Sequence, residues 1–325
     1  MKLLIPFSFI YYLIISLRDF FYRSRIFKRH TLSAKVISVG NLTWGGTGKT
    51  PAILFILDRL LQRDKKVAIL IRGYGKDEPR LLSDLAKGVP VFSGSDRVRN
   101  GREAIIQHSV DTLLLDDGFQ YRRLERDLDI VCIDSTNPFG NGFLIPAGIM
   151  REGLNSIKKA DIFLITKVDL ISGQGSLQNL EARLKEINPG ALIVKAIHKV
   201  GHIYKLSDGQ LVDIGHLKDK NLGLVSAIGN PRSFEKTVSM LGLRFGKHFM
   251  FRDHYWYTEK DLKRIKDYCA THEIDTILTT EKDAVRLQGS KDRIPQIGIL
   301  VVTIKLQVIE NEQSFHDRLF RIYST

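Results

Sequence analysis

From Lys35 onward, short runs of β-branched and apolar residues alternate with longer stretches in which apolar residues recur at three- and four-residue steps. The short runs are "KVISVG" (35–40), "KVAILIRG" (66–73), "VPVFSG" (89–94), "DTLLLDD" (111–117), "LDIVCID" (128–134), "DIFLITK" (161–167) and "ALIVKAI" (191–197). Between them lie "PAILFILDRLLQRD" (51–64), "DRVRNGREAIIQHS" (96–109) and "SLQNLEARLKEIN" (176–188), whose spacing predicts core-facing helices. Strands alternating with helices build βαβ units around a mostly parallel sheet. The pattern changes at "GHIYKLSDGQLVDIGHLKDK" (201–220), where two short alternating runs flank "SDG" and predict a hairpin. A second alternation follows: "NLGLVSAIGN", a helix from about Ser233, "DLKRIKDYCATH", "DTILTTEK" and "IGILVVTI". The last predicted helix, "NEQSFHDRLFRIYS", is compatible with packing on either half.

The first 30 residues depart from this rhythm. "LLIPFSFIYYLIISL", Leu3 to Leu17, carries no charge, and five cations against one Asp follow between Arg18 and Arg29. A 15-residue helix rises about 22 Å, short of the roughly 30 Å hydrocarbon core. No small-residue cleavage site of a secretory signal follows it. The segment therefore reads as a monotopic anchor lying in one leaflet, its basic flank meeting anionic headgroups. The other reading is a core helix packed on the domain behind it.

A chain of 325 residues exceeds the size at which one core usually stops growing. The expected organisation is a membrane-associated helix and basic flank (1–30), a nucleotide-binding domain (31–200), a hairpin linker (201–220) and a smaller α/β domain (221–325). Hydrophobic residues at 43% and charged residues at 26% fit a folded soluble protein, and an excess of 13 positive charges fits anionic partners or simply a basic surface. Cys132 and Cys269 show neither disulfide nor metal-site spacing, which suits a reducing cytoplasm. No nucleic-acid-binding module or aromatic-basic stripe is present, so nucleic acid is not an expected partner.

Candidate chemistry begins at "VISVGNLTWGGTGKTPA" (36–52). The phosphate-loop pattern G-x-x-x-x-G-K-[ST] is met except that Thr43 stands at the first glycine. A strand leads in and a helix follows, so the backbone N–H groups of Gly45, Gly46, Thr47 and Gly48 are placed to cradle phosphates. Lys49 would neutralise β and γ oxygens, and the Thr50 hydroxyl would ligate Mg²⁺. A chance Gly-rich turn is the bland alternative, and Pro51 excludes a dinucleotide fingerprint. Asp116 and Asp117 end an apolar run as a Walker B segment would. One of them would hold the metal, and the other would share it or position Gln120. The fold class expected is thus α/β: a P-loop NTPase-like, mostly parallel sheet with a second, smaller α/β domain joined by a β-hairpin linker, and an N-terminal membrane-associated helix.

"DIFLITKVD" points elsewhere, because Thr166, Lys167 and Asp169 match the strand-end element with which many GTPases read guanine. The alternative function is therefore a GTPase-type switch or metal-insertion chaperone. "DTILTTEKD" ends similarly, so the turn is equally readable as a structural habit of this chain.

Taken in order, "SVGNLTWGGTGKTP", "IRGYG", "DEP", "LLLDDGFQYRRLERDLDIVCID", "NPFGNGFLIPAGIMRE", "FRDHYWYT" and "TTEKDAVRL" resemble the tetraacyldisaccharide 4'-kinases. The series runs from the apolar N-terminus almost to the end of the chain, and Thr43 also resembles that family's loop. The resemblance implies transfer of the ATP γ-phosphoryl group to the 4'-hydroxyl of an acylated glucosamine disaccharide 1-phosphate, in lipid A synthesis at the cytoplasmic face of the inner membrane. It implies Asp77 as the base with His254 as its partner, Arg97 near the phosphates, and Glu152 assisting metal or nucleotide. Taken alone, Asp77 reads as a turn acid before Pro79, His254 as a surface histidine, Arg97 as a solvated helix residue and Glu152 as a loop acid. Two departures stand out. Tyr121 occupies a position where the family commonly has histidine, and it does not titrate near neutrality. Only Lys76 separates "RGYG" from "DEP", where many relatives carry a longer insert.

Overall fold

The computed structural model describes residues 2–73, 77–171, 173, 175–288 and 297–324. Tyr74, Gly75 and Lys76, and with them the join between "RGYG" and "DEP", lie outside the described residues. The chain forms two compact units: 1–198 together with 306–325, and 199–305.

In the first unit the strands are β1 (Lys35–Asn41), β2 (Val67–Ile71), β3 (Val91–Ser93), β4 (Thr112–Asp116), β5 (Leu128–Asp134), β6 (Ile162–Thr166) and β7 (Leu192–Lys205). They lie in the order β7-β6-β5-β1-β4-β2-β3, and every neighbouring pair is parallel. Both faces are covered, as an all-parallel sheet requires. Alternate residues therefore enter different cores: Ile130 and Cys132 of β5 join Ile162 and Leu164 of β6 on one face. Val131 and Ile133 join Phe163 and Ile165 on the other.

The helices are α1 (Ile5–Arg23), α2 (Lys49–Leu61), α3 (Asp77–Leu85), α4 (Arg97–His108) and α5 (Ser176–Ile187). Helix α3 was not among the predicted elements. Asp77 opens it and is buried, and Pro79 falls in its first turn, where no helical N–H is lost.

Helix α1 runs for 19 residues, about 28 Å, longer than the apolar run alone suggests. It is apolar and long enough to cross a membrane by length and composition. Yet it is seated lengthwise on its own unit. The Ser8 hydroxyl donates to the Leu144 carbonyl at 2.8 Å and accepts from the Ala147 N–H at 2.9 Å. Toward the other end, Arg18 meets Glu152 at 2.7 Å and Arg122 reaches Asp19 at 3.5 Å.

The chain enters the second unit along β7, whose far end pairs antiparallel with β8 (Leu211–Val212), the expected hairpin. There β9 (Leu222–Ser226), β10 (Phe245–Met250), β11 (Thr276–Thr280) and β12 (Gly298–Glu310) form parallel neighbours in the order β10-β9-β11-β12. Helices α6 (Pro231–Met240), α7 (Glu259–Thr271) and α8 (Glu281–Leu287) belong to the same unit. Strand β10 and helix α8 were not predicted. In β10, Lys247 is exposed and a buried His248 interrupts the apolar pattern, its ring nitrogens 2.8 Å from Ser226 and from Glu235. Helix α8 hides behind "TTEKD" because Thr280 caps it by accepting the Asp283 N–H.

The chain returns along β12, and from Leu306 it belongs again to the first unit. Helix α9 (Glu312–Arg321) packs there: Phe315 and Leu319 are fully buried in the same core as α2 and β1, and Arg59 meets Glu312 at 2.9 Å. We expect Phe315→Ala to cost about 3–5 kcal/mol of stability by the cavity it leaves. Denaturant unfolding followed by a fluorophore in the first unit measures it, and a change under 1 kcal/mol on that same order-of-magnitude scale would place α9 outside the core.

Candidate nucleotide site

Strand β1 ends at Asn41 and helix α2 begins at Lys49, so the loop 42–48 lies at the carboxyl edge of the sheet. Thr43 makes an antiparallel bridge to Met150. Extended backbone suits a β-branched residue, which accounts for threonine where the pattern has glycine. Gly48, at φ +86°, turns the chain into α2, and a Cβ there would stand 2.6 Å from His198 Nε2. The Asn41 amide supports the loop from within, donating to the Thr43 carbonyl at 2.7 Å and to the Thr47 hydroxyl at 2.8 Å. Thr50 sits in the first turn of α2.

The segment read as a possible guanine reader braces this loop from behind. Thr166 donates to the Thr47 carbonyl at 3.0 Å. Lys167, buried and left-handed at φ +58°, donates to the Gly46 carbonyl at 2.7 Å and to Asp134 at 2.5 Å. Burial first, then the nearby Lys167 charge, pushes the His198 imidazole down to about 3, so it stays neutral beside the loop. Asp169 is exposed.

The two candidate Walker B carboxylates take different paths. Asp116 ends β4 in register with Val39 and is buried. Asp117 turns out of the strand at φ +54°, a conformation Asp tolerates better than most residues. Both its oxygens accept from Arg151 at 2.7 Å, and Lys49 Nζ stands 3.6 Å away. Burial works against the anion, but Lys49 and the Arg151 fork hold this carboxyl well below the ordinary carboxylate range. Lys49 also donates to Asn41 Oδ1 at 3.2 Å, an oxygen that Arg151 contacts too. Gln120 is placed by the Asn41 carbonyl, to which it donates at 2.9 Å.

Arg97 is 2% exposed, against the expectation for a helix-surface arginine. The Arg97 guanidinium donates to the Asp117 carbonyl at 2.9 Å and lies 5.3 Å from the Tyr121 ring centroid, while the Arg97 backbone N–H donates to the Tyr121 hydroxyl at 3.2 Å. Burial lowers its pKa. Tyr121 thus supports Arg97 by contacts that need no titration.

Glu152 is 1% exposed and is committed elsewhere: its oxygens accept from Arg18 at 2.7 Å and from Arg122 at 2.9 Å. These contacts assign it to the seat of helix α1. Its neighbour Arg151 is the member of the pair whose side chain reaches Asp117. Its only signal was a second charge closing the "GIMRE" run, and sequence alone does not say which of two adjacent charges turns inward.

In the second unit, "FRDHYWYT" and "TTEKDAVRL" meet around His254, which adopts φ +60°. Asp283, fully buried, accepts from the Ala227 N–H at 3.0 Å, the Tyr257 hydroxyl at 2.8 Å and the Thr280 hydroxyl at 2.7 Å. Burial raises the carboxyl above its ordinary value, in spite of these donors. Arg286 lies 3.3 Å from Asp283, donates to the Ala227 carbonyl at 2.9 Å, and places Nη2 3.4 Å from His254 Nδ1. A guanidinium only donates. In that contact Nδ1 is the acceptor, an arrangement that requires the ring proton on Nε2. The side chain is 39% exposed.

The tetraacyldisaccharide-1-P 4'-kinase family matches residues 1–323. The chain is similar to the tetraacyldisaccharide 4'-kinase of Halothermothrix orenii, 35% identical over 92% of this chain and 87% of the relative. It is also similar to that of Bdellovibrio bacteriovorus, 36% identical over 87% and 88%. Among solved structures it is similar to the "apo" form LpxK of Aquifex aeolicus in complex with ATP, with 28% identity, a TM-score of 0.75 and 99% of each chain covered.

The His254 tautomer is directly measurable. Long-range ¹H–¹⁵N correlation spectra at neutral pH are expected to show the proton on Nε2; a ring protonated on Nδ1 alone would contradict the arrangement around Arg286.

Proposed function

We propose the function that follows from family membership: the chain belongs to the tetraacyldisaccharide-1-P 4'-kinase family, and it transfers the γ-phosphoryl group of ATP to the 4'-hydroxyl of a tetraacyldisaccharide 1-phosphate. The observation that carries this is a family match over residues 1–323, joined to a phosphate loop whose lysine shares the Walker B acid with an arginine. The guanine-reading alternative loses its support, since Thr166 and Lys167 are engaged with the phosphate loop.

Phosphoryl transfer depends mainly on positioning and on charge stabilisation. The loop amides and Lys49 would hold the β and γ phosphates. Arg97, fixed on the Asp117 carbonyl, supplies a second cation close by. The Thr50 hydroxyl, Asp116 and Asp117 are hard oxygen donors, few in number, which suits Mg²⁺, an ion that usually keeps waters and phosphate oxygens as its other ligands. When bound, Mg²⁺ would neutralise charge on the phosphate oxygens. Asp77 would accept the proton of the attacking 4'-hydroxyl, with His254 as its partner. The tautomer argument supports this division: with Nδ1 accepting from Arg286, the imidazole offers an N–H at Nε2 and is poorly placed to be the base itself.

The membrane role is carried by α1. Phe7, Phe9, Ile10, Leu13, Ile14 and Leu17 are all exposed, although the helix is tied to its unit at Ser8, Tyr11 and Arg18. A helix held lengthwise with its outer side apolar suits the plane of one leaflet, the cytoplasmic face of an anionic inner membrane. The amphipathic substrate then stays in the bilayer while its sugar head is phosphorylated.

Purified protein incubated with γ-labelled ATP and disaccharide lipid monophosphate is expected to yield a doubly phosphorylated lipid, with ATP preferred over GTP. Asp77→Ala and His254→Ala are each expected to lower kcat by about 100-fold or more, and the double variant by much less than the product of the two, as for groups acting as a unit. Label confined to free phosphate, or multiplicative losses, would sink the reading or the pairing respectively. Separately, Phe9→Ser with Ile14→Ser is expected to reduce binding to anionic vesicles while leaving ATP affinity unchanged; undiminished vesicle binding would remove α1 as the anchor.

A further inference from the structure

Residues 151 and 152 face two ways. The Arg151 guanidinium grips both oxygens of Asp117 at 2.7 Å and donates to the Asn41 carbonyl at 3.0 Å. The Glu152 carboxylate points to the N-terminal helix, taking Arg18 at 2.7 Å and Arg122 at 2.9 Å. Between them the backbone is pinned at two places. The Arg151 N–H donates to the Leu42 carbonyl at 2.8 Å, at the start of the phosphate loop. Its carbonyl accepts from the Tyr11 hydroxyl of α1 at 3.0 Å.

We propose that Arg151 is a phosphate-orienting residue of the kinase reaction and that helix α1, through Tyr11, sets its position. The inference rests on the kinase reading above and adds to it a residue and a physical link. Lys49 and Arg151 share one carboxylate and one asparagine, so a group that approaches Lys49 meets the guanidinium as well. Two cations against one anion leave the cluster positive, and Arg97 on the Asp117 carbonyl adds to this. A planar fork in such a place suits tetrahedral phosphate oxygens better than a point charge does. The Arg151 Nε is buried and has no acceptor among the described residues.

The link to α1 follows from covalent geometry. A two-residue segment tied to the helix by Tyr11 and Arg18 cannot shift at one end without moving the guanidinium at the other. The helix bearing the apolar outer side is thereby also part of the frame of the nucleotide site. Tyr11 is the positioning residue and Arg151 the residue it positions.

The test is a double-mutant cycle on the full chain with two readouts: affinity for a fluorescent ATP analogue with and without Mg²⁺, measured without lipid acceptor, and steady-state kcat and KM for ATP. Arg151→Gln is expected to lower kcat about 100- to 1,000-fold, the usual effect of removing one charge-stabilising donor. Arg151→Lys is expected to recover little of it, because the fork is lost while the charge remains. Tyr11→Phe removes one neutral hydrogen bond and is expected to weaken ATP-analogue affinity about two- to tenfold. In the Arg151→Gln background, Tyr11→Phe should have no further effect on affinity or kcat. A thermal melt accompanies each variant. The proposal is overturned if Tyr11→Phe acts by the same factor in both backgrounds, if Arg151→Lys restores full turnover, or if folded Arg151→Gln retains wild-type affinity and kcat. A wild-type protein that binds no ATP analogue and phosphorylates no lipid would instead fail the kinase reading itself.

Discussion

The candidate phosphate site depends on one carboxylate. Asp117 stands between the Lys49 ammonium and the Arg151 guanidinium and is the anion common to both. Two unit charges about 4 Å apart interact by roughly 4 kcal/mol at a near-surface dielectric. Without the shared acid, the two neighbouring cations would only repel each other. With it, positive charge is concentrated at the head of α2, where the loop amides already favour an anion. The left-handed turn at Asp117 allows this: Asp116 completes the strand, and the next residue leaves it with its side chain toward Lys49 and its carbonyl toward Arg97.

The sheet puts these groups at one level. Parallel pairing aligns Val39 with Asp116, Asn41 with Cys132, and Asp134 with Thr166, so the strands carrying the loop, the acids and the brace all finish at the same edge. Ligands of open α/β sheets bind at that edge for this reason. The buried Lys167–Asp134 pair sits beneath the loop. Such pairs add little net stability once desolvation is counted, and its observable effect is positional: the ammonium holds the Gly46 carbonyl. The Asp283–Arg286 pair has a comparable place in the second unit, where it fixes the backbone around Ala227 and the environment of His254.

Helix α1 unites two demands that normally conflict. Its outer residues are apolar and exposed, as the proposed membrane association requires, whereas Ser8, Tyr11, Arg18 and Asp19 are those of a docked helix with specific partners. The partners lie in or next to the 144–152 segment, which also supplies Arg151. Under the proposed function, membrane association and phosphate chemistry would therefore be carried by neighbouring residues of one short stretch of chain.

Periodicity alone determined most of the secondary structure. Strands with both faces buried read as continuous apolar runs, and helices with one buried stripe read at three- and four-residue steps. The phosphate-loop pattern and the paired acids at the end of β4 were legible as candidates because such chemistry needs particular residues at fixed short spacing. Elements whose signal is tertiary escaped: β10, where His248 is tolerated because Ser226 and Glu235 receive it, and α3 and α8, whose polar openings resemble turns. Only the folded chain decided that α9 joins the first core, that Thr166 and Lys167 brace a loop, and that Arg151 faces the acid while Glu152 faces α1. The physical reason is common to all of these. Local sequence sets backbone preference and charge, but the direction of a side chain and the partner it finds are set by which distant strand ends and helices the sheet brings beside it.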